Sequence, residues 1–149
     1  MQGLRWIQMS EDERDAFLGR GGTGVIAFAR GSEEPPFQVP VSYGYDGGLG
    51  NFYFKLAVPP DSPKAEVVDE PVSFTAHART DEGYRSVVAT GTLEAVAEMP
   101  SDSLAAQGMW AVDIPAVDIF ERPREEVPFE DFRLAPARIA GRKEVQSEP

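Results

Sequence analysis

The chain has 149 residues, 42% of them hydrophobic, and a formal charge of −11. That is enough for one globular domain with a buried core over residues 1–149, and the acid excess argues against a general nucleic-acid binder, which needs a basic face to neutralise phosphates. With no cysteine and a single histidine, His77, the sequence excludes disulfides, thiolate metal centres, cysteine nucleophiles and histidine-rich metal sites.

Taken in chain order, "MQGLRWIQM" has no secretory apolar core, and no later run approaches the ~20 apolar residues of a membrane span. A cytoplasmic protein is expected. The many acids and few lysines suggest a high-salt cytoplasm, where self-repulsion is screened. "SEDERDAFLGRG" reads as a helix: Ser10 and Glu13 have capping-box spacing, acids fill the first turn, and Gly21 is placed to stop it. Thr23 to Arg30 is a strand, "GSEEPP" a loop, and "FQVPVSYGYD" a second strand in which Pro40 signals an edge, a bulge or an irregular opening. "DGGLG" has hairpin-turn chemistry and leads into a third strand, "NFYFKLA". "SPKAEVVDE" reads as a short helix, with Ser62 at the N-cap and Pro63 at the first helical position.

"PVSFTAHAR" is a fourth strand whose alternation puts Ser73, Thr75, His77 and Arg79 on one face and Phe74, Ala76 and Ala78 on the other. "RSVVATGTLEAVAE" reads as one long fifth strand with a bulge at Gly91. From "MPSDSLAAQGMW" to "EEVPFE" only one or two short helical pieces are legible. "DFRLAPARIAG" gives one or two closing strands, and "KEVQSEP" reads as a frayed tail. Short strands separated by regular turns predict a mainly β, antiparallel barrel with two or three short helices.

The succession "TGVIAFA", "PVSYGYDGG", "FYFK", "SPKAEVV", "PVSFTAHA", "YRSVVATGTLEAV" and "RLAPARIAGRK" resembles the pyridoxamine 5′-phosphate oxidase-related, FMN-binding split-barrel family, and within it the nitroimidazole-resistance-like branch. The resemblance covers roughly Ser10 to Lys143 and rests on the order and spacing of several motifs. It implies a Greek-key-like split β-barrel, a homodimer, and FMN held between the two copies. The family's phosphate motif, a serine, a basic residue and a lysine, falls on Ser62, Pro63 and Lys64. The "PVSYGY" strand matches the one that lies along the flavin ring. The Arg–x–His ending of the true pyridoxamine phosphate oxidases has no counterpart in "GRKEVQSEP".

Physical chemistry supplies roles for these residues. The chain's only lysines are Lys55, Lys64 and Lys143, and two of them fall in one short segment. A helix start offers unpaired N–H groups to a phosphate, Ser62 adds a hydroxyl, and Lys64 adds a full charge. Lys55 is a third candidate for the same anion. The bland alternative is that Ser62 only caps and Lys64 is solvated. Val41, Ser42 and Tyr43 are candidates to wall the ring and bond its polar edge, or else Val41 and Tyr43 pack the core. Arg85 either meets phosphate across the dimer or forms an ordinary ion pair. Trp110 and Arg142 are candidates to reach the partner's cofactor, or else serve as core aromatic and solvated arginine.

The expected function is a flavin-dependent oxidoreductase acting on a small molecule. The alternative is a binder of flavin, of the deazaflavin F420 or of haem without its own turnover; for haem, His77 is the one available histidine.

Overall fold

Period-two alternation sorts strand residues onto two faces, and the computed structural model shows what each face meets. It describes residues 4–57, 68–109, 112, 114 and 129–146. In order, the elements are β1 (Leu4–Gln8), α1 (Glu11–Leu18), β2 (Gly21–Phe28), β3 (Phe37–Asp46), β4 (Asn51–Ala57), β5 (Val72–Thr80), β6 (Gly83–Gly91) and β7 (Leu93–Ala95). A 3-10 turn (Val96–Glu98), α2 (Leu104–Gly108), β8 (Phe129–Leu134) and β9 (Arg138–Gln146) follow.

The nine strands make one curled antiparallel sheet in the order β1-β9-β6-β5-β2-β3-β4-β8-β7. Within it, β5-β2-β3-β4 is a Greek key: three strands in succession, with the fourth returning beside the first. The concave face holds the core. Ile26, Phe52, Phe54, Phe74, Val87 and Leu134 are wholly buried there. Phe74 anchors an aromatic cluster, with ring centroids 5.2 Å from Tyr43, 5.3 Å from Phe52 and 5.0 Å from Phe54. Gly24 on β2 admits this packing, since a Cβ there would lie 2.5 Å from the Thr75 carbonyl oxygen and 2.7 Å from the Phe74 ring.

Helix α1 starts as its capping box dictates: the Glu13 N–H donates to Ser10 Oγ at 3.2 Å, and the Ser10 N–H donates to Glu13 Oε1 at 3.1 Å. It stops earlier than expected, at Gly19 with φ +60°, a conformation glycine adopts without strain. Gly21 instead opens β2. Leu18 plugs into the core, and two tyrosines of β3 tie the helix down. The Tyr43 hydroxyl donates to the Leu18 carbonyl at 3.0 Å, and Tyr45 donates to Asp15 Oδ1 at 2.6 Å. Burial pushes the Tyr43 hydroxyl up to about 12.

The expected β3–β4 hairpin forms, with Asp46 opposite Asn51 and Gly50 at φ +72°. The fourth-strand alternation holds as far as Ala76: Phe74 and Ala76 are buried and Ser73 and Thr75 half-buried, while His77, Ala78 and Arg79 are all exposed. Two expectations are corrected, and one strand is unanticipated. "LRWIQ" is a strand, β1, paired along its length with the C-terminal part of β9. Residues 143–146, read as a frayed tail, are therefore sheet. The long fifth strand breaks after Gly91, which is a corner: β6 ends there and β7 crosses to pair with β8. The expected helix at 62–70 falls mostly outside the described residues, as does much of the segment between α2 and β8.

The Lys143 ammonium of β9 bonds Glu13 of α1, and this contact, with the Ser10 N–H, lowers the Glu13 carboxyl from 4.5 to about 2. A depressed carboxyl stabilises the fold above its unfolded value and loses that contribution as pH falls through the folded one. Stability should therefore fall between about pH 4.5 and about pH 2. Glu13→Gln should flatten that part of the acid unfolding profile without removing the rest. Identical melting curves for the two proteins across this window would contradict the pairing.

Candidate functional site

The convex face of the sheet carries the polar side chains that the core rejects, and strand register decides which of them meet. Val88 on β6 pairs with Ala140 on β9 and with Thr75 on β5; Thr75 pairs with Val25, and Val25 with Pro40. This is an uncharged row across five strands, and Val88 is 39% exposed on it. On one side runs the row Arg142, Ser86, His77, and on the other the row Arg138, Thr90, Ser73, Ala27. Arg138 and Arg142 are exposed and have no ion partner among the described residues, whereas Arg30, Lys55, Arg85, Arg133 and Lys143 each have one. Arg5 and Arg79 also lack an ion pair among the described residues, but only Arg138 and Arg142 flank the uncharged strip. The arrangement offers a flat apolar contact with cationic donors at both margins, which suits a planar, anionic ligand.

The candidate residues are distributed as follows. On β3, Val41 and Tyr43 point to the core side; Val41 packs against the core cluster and Tyr43 is 4% exposed within it. Ser42 lies between them on the convex side, and its Oγ is buried with no hydrogen-bond partner. Next to it Gly44 is covered by Val112 and Ile114, so closely that no Cβ fits. Val112 and Ile114 thus lie against the β3 surface at Gly44, two residues along from Ser42. The Tyr53 hydroxyl of β4 holds α2 in place by donating to the Ala105 carbonyl at 2.7 Å.

Lys55 is on the convex side of β4 and pairs with Asp131 of β8 at 2.9 Å. Both side chains are substantially exposed, so this pair holds Lys55 only weakly, by roughly 0–1 kcal/mol. Arg85 lies at the start of β6 on the core side, with its guanidinium on Glu82 and its Nε buried without a partner. Arg142 is on the convex face beside Ser86. Ser62, Lys64 and Trp110 lie outside the described residues. Sequence reading did not single out Arg138 or the row through Ser86 and His77. Both depend on the β5–β6–β9 register, although the four-residue spacing of Arg138 and Arg142 does place them on one face once "RIAGRK" is known to be a strand.

Among the described residues no group of three or more His, Cys, Asp or Glu is placed to hold a metal ion, and no helix is long and apolar enough to cross a membrane.

Comparison with known proteins gives the same architecture. An FAD-binding protein from Mesorhizobium loti is similar, with a TM-score of 0.63 and 21% identity, covering 98% of this chain and 100% of that one. The FAD binding protein from Mycobacterium smegmatis matches with a TM-score of 0.66 and 16% identity, covering 93% of this chain and 99% of that one. An FAD and heme binding protein from the same organism matches with a TM-score of 0.56 and 16% identity over 95% of this chain and 72% of that one. No curated protein matches the sequence. The family model described as pyridoxamine 5′-phosphate oxidase matches residues 10–143, nearly the whole span from the cap of α1 to the middle of β9. The chain belongs to the pyridoxamine 5′-phosphate oxidase family.

Proposed function

We propose that the protein is a cytoplasmic, single-domain flavoprotein that binds FMN on its convex sheet face, between two copies of the chain, and uses it to oxidise or reduce a small molecule. The observation that carries the proposal is the uncharged row through Val88 and Thr75 with Arg138 and Arg142, which have no ion partner among the described residues, at its margins. The unpartnered Ser42 hydroxyl supports it, being a polar atom on the same side of the sheet that a flavin's heteroatoms would satisfy. Similar solved structures named as FAD-binding proteins add weight.

Bound flavin supplies the electron transfer. The chain's own residues bind and orient: Ser62 and Lys64 hold the phosphate, Ser42 bonds the ring's polar edge, and Val88, Thr75 and Val25 exclude water beneath it. Arg142 and Trp110 reach the cofactor of the second copy. The purified protein should be yellow, its spectrum should be that of oxidised flavin, and NADH or NADPH under nitrogen should bleach it. A flavin spectrum that no nicotinamide donor and no chemical reductant-coupled substrate bleaches would assign the protein as a binder without turnover. A colourless protein that takes up F420 and excludes FMN would overturn the FMN reading.

The dimer has its own test. A second copy placed over the convex face buries Val88, so Val88→Asp should convert dimer to monomer in light scattering and weaken flavin binding together with it. A monomeric wild-type chain that binds FMN at full affinity would refute the shared site.

The high-salt reading predicts that molar salt raises the melting temperature, since screening removes the self-repulsion of a chain at −11. An unchanged melting temperature from low to molar salt would sink it.

A further inference from the structure

A second concave site lies away from the convex face, where the core opens beside β7 and β8. It has a volume of about 360 Å³, at the small end of the range for ligand pockets. Its floor is apolar: Val68, Leu93, Ala95 and Phe132 line it, and all four belong to or pack against the core cluster. Alternation explains this floor, because Leu93 and Ala95 pair with the buried Leu134 and Phe132 and share their core-facing side. The rim is acidic. Asp69, Glu94, Glu98 and Glu130 line it; Glu94 is paired with Arg133, whereas the other three have no ion pair or hydrogen bond among the described residues.

The cations of β8 and of the adjoining β4 are already engaged. Arg133 is paired with Glu94 at 2.7 Å, and Lys55 with Asp131 at 2.9 Å. Among the described residues the cavity thus has an apolar base, carboxylates at its mouth and no cation in its lining. Among the described residues no three acids converge closely enough to hold a metal ion, which removes a divalent cation as the complement. An ammonium group on a hydrocarbon body matches both parts: the body covers the floor, and the charge meets the rim.

We propose that this cavity binds a small organic ammonium ion, with its apolar part against Leu93, Ala95 and Phe132 and its charge at the acidic rim formed by Asp69, Glu98 and Glu130. The proposal does not depend on the flavin reading, because none of these residues lies on the row through Val88 and Thr75.

The test is methyl NMR of the full chain titrated with benzylammonium, with benzyl alcohol as the neutral isostere. Benzylammonium should shift the Leu93 and Ala95 methyl signals saturably and bind about tenfold or more tightly than benzyl alcohol, the difference expected for a charged hydrogen bond. Combining Glu98→Gln and Glu130→Gln should weaken benzylammonium by about the same factor and leave benzyl alcohol unchanged. Should that double variant fail to fold, Asp69→Asn, in an exposed turn, gives the same readout. Equal binding of the two probes, undiminished binding to the variants, or shifts that bypass Leu93 and Ala95 would each overturn the proposal.

Discussion

Phe74→Ala is expected to lower the folding stability by about 3–5 kcal/mol, the usual cost of emptying a buried aromatic position. Phe74 is wholly buried, and its ring contacts those of Tyr43, Phe52 and Phe54. These neighbours come from β3 and β4, so one side chain joins both halves of the Greek key. The neighbours cannot collapse into the gap freely. Tyr43 is fixed through its hydroxyl to α1, and Phe52 and Phe54 sit on a strand bonded on both sides. A domain of this size commonly has a total stability of about 5–15 kcal/mol, so the variant should unfold at much lower urea or not fold at all. Phe74→Leu keeps most of the volume and should cost clearly less. A loss below about 1 kcal/mol for the alanine variant, well short of the range for such truncations, would mean that this cluster is not the centre of the core.

Lys64→Ala is expected to weaken FMN about ten- to hundredfold and to leave riboflavin nearly unchanged. The two ligands differ by a phosphate carrying close to two charges. A charged hydrogen bond to such a group contributes roughly 1.5–3 kcal/mol. The acidic surroundings sharpen the expectation, because a phosphate approaching a chain at −11 is repelled unless a local cation compensates. Titration of both ligands against both proteins separates the outcomes. Equal loss of FMN and riboflavin would make Lys64 a structural residue, and no loss of either would remove Ser62–Lys64 as the phosphate site.

Local rules made much of this fold legible. The Ser10–Glu13 box, the Asp46–Gly50 turn and the alternation in "SFTA" each act within a few residues, and each appears in the structure as read. What the sequence hid depends on distant partners. "LRWIQ" is too short to announce itself, and it becomes a strand only because β9 lies alongside. "KEVQ" is polar because it sits near the sheet edge, so it reads as a tail. Gly91 was visible as an irregularity, but β-propensity continues on both sides of it and conceals the turn toward β8. The convex-face rows were hidden for the same reason. Arg142 was noticed as a terminal arginine, yet its position beside Ser86 and His77 follows from two ladders joining residues far apart in the chain.

The pairing of β1 with β9 sets an order of events during synthesis. Leu4 is synthesised long before its partner, Gln146, on β9. The Greek key of β2 to β5 has all its strands long before β9 exists, whereas β1 waits for β9. Until then Trp6 and Ile7, exposed even in the finished sheet at 55% and 38%, belong to an unpaired strand. Closing so long a loop is slow, and an idle strand with apolar side chains is a target for other nascent chains. Among the described strands the β1–β9 seam is therefore the last to lock, and a chaperone that shields Leu4–Gln8 would protect it through the interval when it is most vulnerable.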